Sequence, residues 1–309
     1  MVQVTLLGTA ALMPTPERGT TAAALVCQGR TLLLDCGEGT QTAARRWHVN
    51  LMSADVIALT HYHGDHIFGL PGLLQTMGTL GRTAPLTLTG PGEIQRELAP
   101  VMQLVNWVPY PVKLMSMPGG GLRLCELHPS WPAEALLTTF PTEHRVPSQG
   151  YRFDLGRPGR FLPEAAEKLG LPRPLWRRLQ HGEQVEWEGR LIQPEEVLGP
   201  RRRGLSVVFS GDTVPCRALT DRARGADLFI CEGTYGDSAL AETARANGHM
   251  TFAEAGRTAR DAEVRRLWLT HFSQMMEDPA DFLPNAAALY PGAVIGEDGM
   301  SIELAFDEE

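Results

Sequence analysis

No apolar run in this chain approaches the roughly 18 residues that a membrane-spanning helix needs, so an integral role of that kind is excluded. The amino terminus, Met1 to Leu7, lacks a basic stretch followed by an apolar one; no secretory leader is expected, and it reads as a first strand. Cysteine is scarce. Cys27, Cys36, Cys125, Cys216 and Cys231 are odd in number and none sits at C-x-x-C spacing, so they read as buried thiols of a cytoplasmic protein. Nothing repeats at a fixed short period. Positive charge is also in short supply, with 28 Lys and Arg against 36 Asp and Glu and a net charge of −8. Bulk charge therefore gives no reason to expect nonspecific nucleic-acid binding, although it does not report on local patches. What remains is 309 residues with 43% hydrophobic content, enough for a substantial core.

Against that background one stretch stands out: Thr60 to His66, written T-H-Y-H-G-D-H. The preceding residues, Asp55 to Thr60, are apolar and β-prone and read as a buried strand. The following residues, Ile67 to Leu80, read as a helix start. Three of the chain's nine histidines and an aspartate thus fall on one turn at the carboxyl end of a strand, where α/β proteins place their chemistry. Neutral imidazoles and a carboxylate suit a borderline divalent ion such as zinc. His61 and His63 could grip one ion, and Asp65 and His66 a second.

Further strands are expected at 2–7, at 22–28 and 30–35 as a hairpin turned at Gly29, and at 86–89, 122–127 and 136–140. Others follow at 205–209, 227–231, 266–270 and 301–306. A helix is expected over Glu93 to Leu104. Asp35-Cys36-Gly37-Glu38-Gly39-Thr40-Gln41 reads as a structural turn before a helix from Thr40, because it matches neither G-x-G-x-x-G nor a P-loop. Thr251 and Glu254 form a capping-box pattern just after His249. Ligand-type residues recur after strand ends at 61–66, 144, 212 and 271, which argues for one site built from several loops.

Residues 155–203 differ from the rest. Arg173, Arg177, Arg178 and Arg201 to Arg203 give the densest positive charge in the chain, with Trp176 among them. A long segment between two sheet-like halves reads as an outward-projecting insertion. Arg beside Trp suits a phosphate backbone. The alternative is a solvated loop whose arginines balance Glu164, Glu167, Glu195 and Glu196.

Taken together, T-H-Y-H-G-D-H with His144, Asp212 and His271 resembles the metallo-β-lactamase fold, an α/β four-layer αββα sandwich with a metal site at one rim. Longer strings resemble the ribonuclease Z family within it. These are Leu59 to Leu74 (L-T-H-Y-H-G-D-H-I-F-G-L-P-G-L-L), Asp35 to Gln41, Glu143-His144 with Gly150-Tyr151, Ser210 to Thr213, Glu232-Gly233-Thr234 and Thr270 to Ser273. The resemblance implies one domain over 1–309, with 155–203 as an inserted flexible arm that grips tRNA. It implies a zinc-dependent endoribonuclease that removes the 3′ trailer from precursor tRNA by hydroxide attack on a phosphodiester, leaving a 3′-hydroxyl.

Carried over by position, the resemblance places His61, His63 and His144 on one zinc, and Asp65, His66 and His271 on the other. Asp212 bridges them. Two Zn²⁺ per subunit are implied, with Mn²⁺ or another divalent ion as an alternative. Asp65 would orient the nucleophile or take its proton. His249 with Glu232 would donate a proton to the leaving oxygen, the plainer reading of His249 being a loop hydrogen bond. Relatives carry P-x-K-x-R-N where this chain has Pro14-Thr15-Pro16-Glu17-Arg18-Gly19. Arg18 in that loop and Arg173, Arg177 and Arg178 in the arm are carried over as RNA contacts. A homodimer is expected, without membrane or DNA partners. The competing readings are a small phosphodiester or sulfate-ester hydrolase on the same fold, which needs no Arg-bearing arm, and a non-catalytic RNA-binding module with a structural metal.

Overall fold

Along each central strand, successive hydrophobic side chains enter different cores, as a pleat with period two requires when both faces are covered. Leu32 and Leu34 join one cluster while Leu33 joins another; Val56 and Ala58 part from Ile57 in the same way. In the other half of the chain Val207 and Phe209 part from Val208, and Leu228 and Ile230 from Phe229. This pattern builds the layers seen in the computed structural model, which describes residues 1–117 and 120–307.

The strands are β1 (Val2–Gly8), β2 (Ala22–Cys27), β3 (Arg30–Leu34), β4 (Ala54–Ala58), β5 (Leu86–Thr89) and β6 (Val112–Met115). Then come β7 (Leu122–Arg123), β8 (Ala135–Pro141), β9 (Gln149–Arg157), β10 (Val185–Trp187) and β11 (Arg190–Ile192). The last are β12 (Arg202–Phe209), β13 (Leu228–Glu232), β14 (Leu267–Thr270), β15 (Ala293–Ile295) and β16 (Ser301–Leu304). One seven-stranded sheet runs β16-β1-β2-β3-β4-β5-β6 and the other β15-β14-β13-β12-β9-β8-β7. Their inner faces share a core of residues such as Leu6, Leu25, Tyr151, Phe153 and Trp268. Helix Leu70–Thr79 packs Leu70, Leu73, Leu74 and Met77 on the outer face of the first sheet. Helices Arg217–Ala223 and Phe252–Asp261 cover the outer face of the second. The order helix, sheet, sheet, helix is the expected αββα sandwich.

Several expectations change in detail. The helix expected over Glu93 to Leu104 is two pieces, Ile94–Glu97 and Ala99–Val105. Pro100 lacks an N–H and cannot continue the first piece. The strand expected over 122–127 ends at Arg123 and passes into a single turn, Leu124–Glu126. The edge strand β6 has no counterpart among the sequence-based expectations. After the histidine stretch the helix opens as one turn, Gly64–Ile67, before the longer helix. The capping box forms as expected: Thr251 Oγ1 accepts the Glu254 N–H at 3.3 Å, and Glu254 Oε2 accepts the Thr251 N–H at 3.0 Å.

Sheet residues take up both ends of the expected 155–203 segment, since β9 continues to Arg157 and β12 starts at Arg202. Between them lie helices Pro163–Lys168 and Arg173–Gln180 and the β10–β11 hairpin. Ala166, Leu171, Leu179, Val185, Ile192 and Val197 form a separate small core there, backed by Phe161, Trp176 and Trp187. The segment is a folded unit and not a solvated loop. Its chain is near the roughly 40 residues below which a core rarely holds alone. Bonds from Leu162 N–H to the Val197 carbonyl (2.8 Å) and from Gly199 N–H to the Arg160 carbonyl (2.8 Å) close its base.

Candidate metal centre

Both sheets deliver their parallel strand ends to the same rim. There β4 leads into Thr60 to His66, β12 into Asp212, β13 into Glu232 and β14 into His271. The β8–β9 turn adds His144. The seven side chains expected as metal ligands converge in two half-sites. In one, His61 Nε2 lies 3.0 Å from His63 Nδ1, and His144 Nε2 lies 3.3 Å from that same atom. Asp212 Oδ2 is 3.6 Å from His61 Nε2 and 3.9 Å from His144 Nε2. In the other, His66 Nε2 and His271 Nε2 are 3.3 Å apart, and Asp65 Oδ2 is 3.3 Å from His271 Nε2. Asp212 Oδ1 faces this second group, 3.4 Å from His66 Nε2 and 3.3 Å from His271 Nε2. Asp212 therefore presents one oxygen to each half-site.

The surrounding hydrogen bonds decide which ring nitrogens carry protons. The Gly248 carbonyl can only accept, so His144 Nδ1 donates to it, at 2.8 Å. Asp35 Oδ2 accepts from His66 Nδ1 at 2.7 Å. Thr60 Oγ1 donates to Asp35 at 2.8 Å, so it accepts from His61 Nδ1 at 3.0 Å. Thr234 Oγ1 donates to Glu232 at 2.7 Å, so it accepts from His271 Nδ1 at 2.9 Å. Each of these imidazoles then turns an Nε2 lone pair toward its neighbours. Lone pairs facing one another at about 3 Å repel unless a cation lies between them, and outer acceptors of this kind orient metal-binding histidines.

A second observation agrees. Asp212 Oδ1 is buried and has no hydrogen-bond partner, a costly state for a carboxylate oxygen. The donor set of imidazoles and carboxylates fits a divalent metal such as zinc. The electrostatics are consistent with this. Burial lowers His61 and His63, keeping their lone pairs free. Burial alone would raise Asp212, but His271, His66 and His61 hold it well below the usual carboxylate range. Burial opposes a charge on His66, yet Asp212 and Asp35 outweigh it and raise its pKa. A metal ion would displace that proton.

Beside the half-sites, His249 Nδ1 donates to Glu232 Oε1 at 3.0 Å and lies 4.0 Å from Asp212 Oδ2. Glu232 is held by the N–H groups of Thr213 (2.6 Å) and Met250 (3.2 Å). Burial opposes a charge on His249, but Glu232 prevails and lifts it to about 9. A cavity of about 370 Å³ opens onto the centre, lined by His63, Asp65, Asp212, His249 and His271, with Leu12 and Phe68 at its edge.

The expected arginines lie elsewhere. Arg173 and Arg177 line a larger groove of about 860 Å³ on the insertion, with Arg202, Phe161 and Trp176. Arg178 pairs with Glu183 at 2.9 Å. Arg18 Nη1 donates to Thr9 Oγ1 and to the Gly296 carbonyl, each at 2.8 Å, and the guanidinium sits 5.0 Å from the centre of the Phe272 ring. That nitrogen is committed to holding its own loop.

Sequence reasoning passed over Asp35, Thr60 and Thr234 as parts of the site. Asp35 is buried and takes three bonds, from His66, Thr60 N–H (2.7 Å) and Thr60 Oγ1. Its φ of 55° and that of His271, 61°, are left-handed values that residues with a side chain adopt mainly where their surroundings enforce them. An aspartate inside an otherwise apolar strand end was the available signal. Asp35→Asn is expected to weaken metal binding in the Asp65–His66–His271 half-site about ten- to a hundredfold. Metal titration against a competing chelator checks this, and unchanged affinity would remove Asp35 from the centre.

Known proteins resemble this chain along its length. Residues 177–272 match the family model described as beta-lactamase superfamily domain. Residues 2–99 match that of the anti-Pycsar protein Apyc1. The chain is 39% identical over 308 residues to the ribonuclease Z of Lachnoclostridium phytofermentans, covering 100% of this chain and 99% of that protein. It is 41% identical over 310 residues to the ribonuclease Z of Clostridium tetani, covering 99% of each. Among solved structures, the short form of human tRNase Z superposes with a TM-score of 0.67 at 25% identity, over 98% of this chain and 100% of that one. A metallo-β-lactamase fold protein from Bacillus subtilis gives 0.68 at 20% identity, over 98% and 100%. With relatives this similar along the whole of both chains, and on this fold, the chain belongs to the ribonuclease Z family of metallo-β-lactamase-fold hydrolases.

Proposed function

We propose that this enzyme removes the 3′ trailer from precursor tRNA by hydrolysing one phosphodiester, using two divalent metal ions, zinc in the first instance. The observation that carries the reading is Asp212, a buried carboxylate that offers one oxygen to each half-site while Oδ1 lacks any other partner. His61, His63 and His144 would hold one ion, and Asp65, His66 and His271 the other. Two such ions would supply positive charge for the phosphate oxygens and lower the pKa of a bound water.

The protein's own groups do the rest. Asp65 orients the attacking water and receives its proton. The water oxygen bonds to phosphorus, and the bond to the upstream O3′ breaks. His249, held at Nδ1 by Glu232, gives a proton from Nε2 to that O3′. The products are a tRNA with a 3′-hydroxyl and a trailer with a 5′-phosphate. The insertion, with Arg173 and Arg177 on its groove and Arg178 on the same helix, would grip the tRNA body through phosphates; Trp176 beneath Arg173, 5.8 Å away, supports that helix face. Arg18 would act at the 3′ end by holding its loop. A cytoplasmic homodimer completes the reading, in keeping with the family resemblance.

Mapping the cut in a 5′-labelled precursor tRNA tests it. The zinc-loaded wild type should give one product, ending at the discriminator base or just after an encoded CCA, and Asp65→Ala should give none. Fast turnover of small diesters without a discrete tRNA product would move the assignment to the small-diester hydrolases.

A further inference from the structure

The loop joining β1 to β2 carries the altered residues 14–19, and it also touches the metal centre. The Leu12 N–H donates to Asp65 Oδ2 at 2.7 Å. That is the oxygen facing His271 Nε2 at 3.3 Å and His66 Nε2 at 3.7 Å. Leu12 has a φ of 65°, a left-handed conformation that a leucine keeps only when its surroundings enforce it. Its side chain is 69% exposed, so packing does not hold it.

The Met13 N–H closes the turn on the Ala11 carbonyl at 2.8 Å, and the ends of the loop are held from the far end of the chain. Asp298 Oδ1 accepts Thr9 Oγ1 at 2.8 Å, and Asp298 Oδ2 accepts the Gly19 N–H at 2.7 Å. One carboxylate thus ties the two ends of the loop together. Arg18 braces the same neck through Thr9 Oγ1 and the Gly296 carbonyl. The Ala10 N–H bonds to the Gly19 carbonyl and the Ala11 N–H to the Phe272 carbonyl, each at 2.9 Å, which sets the direction in which the chain leaves toward Leu12.

We propose that Asp298 is a positioning residue for the metal centre: by clamping both ends of residues 9–19 it holds the Leu12 N–H against Asp65 and fixes that carboxylate's orientation. The inference rests on Asp65 acting as a ligand, as in the proposed function. With the clamp gone, the neck opens and Leu12 relaxes to negative φ. Its N–H then swings off Oδ2, and Asp65 regains rotation about its side-chain bonds.

The test compares the full-length wild type with Asp298→Ala and Asp298→Asn. Zinc alone is titrated against a chromophoric chelator, and kcat and KM are measured on precursor tRNA. Asp298→Ala is expected to weaken the weaker zinc step about ten- to a hundredfold and to lower kcat by a similar factor, as loss of an outer support to a ligand does. KM should stay within about twofold of wild type. Asp298→Asn keeps one acceptor and should fall between. A folded Asp298→Ala protein with wild-type zinc affinity overturns the proposal, and so does one in which KM alone changes. Should that variant fail to fold, Thr9→Val removes one end of the clamp and is read in the same way. Zinc affinity does not depend on which diester is cut, so a wild type that binds zinc but spares tRNA sinks the substrate assignment alone.

Discussion

Asp212→Ala is expected to slow precursor tRNA cleavage by at least about a thousandfold, or roughly 4 kcal/mol of transition-state stabilisation. The size follows from position. Among the described residues, Asp212 is the one carboxylate that faces both half-sites, with Oδ2 toward His61 and Oδ1 toward His66 and His271. Alanine removes the carboxylate oxygen offered to each half-site and the negative charge between them. Asp212→Asn keeps the shape but turns an NH₂ group toward one half-site, so it should lose one metal and not both. Single-turnover cleavage in excess zinc, with metal counted per protein, checks the pair. An alanine variant within tenfold of wild type that still holds two zinc ions would sink the bridging role.

His249→Ala should cost about a hundred- to ten-thousandfold on natural RNA, the range for a proton donor acting on a leaving group. The fold should survive, because Glu232 keeps its bonds from Thr213, Met250 and Thr234. The decisive comparison uses an RNA whose scissile O3′ is replaced by sulfur. A thiolate leaves without a proton, so the penalty should shrink below about tenfold. An equal loss on both substrates would mean that His249 organises the pocket and does not donate.

The family strings were legible because they are local. T-H-Y-H-G-D-H supplies His61, His63, Asp65 and His66 within one turn. The remaining expected ligands, His144, Asp212 and His271, each follow a strand that composition reveals. Strand ends were less legible. β6 was missed, and the helix after Glu93 was drawn unbroken across Pro100. The segment between β9 and β12 reads in sequence as a long polar stretch, because its few buried residues are scattered among charged ones and show no clear period.

The sequence by itself determined the layers, the histidines and carboxylates, and their place after strand ends. The layers are what the family strings imply, and the place of the ligand-type residues follows from β-prone apolar runs that end in short loops. Tertiary structure alone decided how the groups combine. The pairing of Asp65 with His271 spans 206 positions, and that of Asp35 with His66 spans 31. The same holds for the two-sided placement of Asp212, the proton positions set by Thr60 and Thr234, and the clamp of Asp298 on Thr9 and Gly19. A hydrogen bond needs two groups about 3 Å apart. When they come from different sheets or from opposite ends of the chain, no local pattern encodes that meeting, and only the packing of one sheet on the other brings it about.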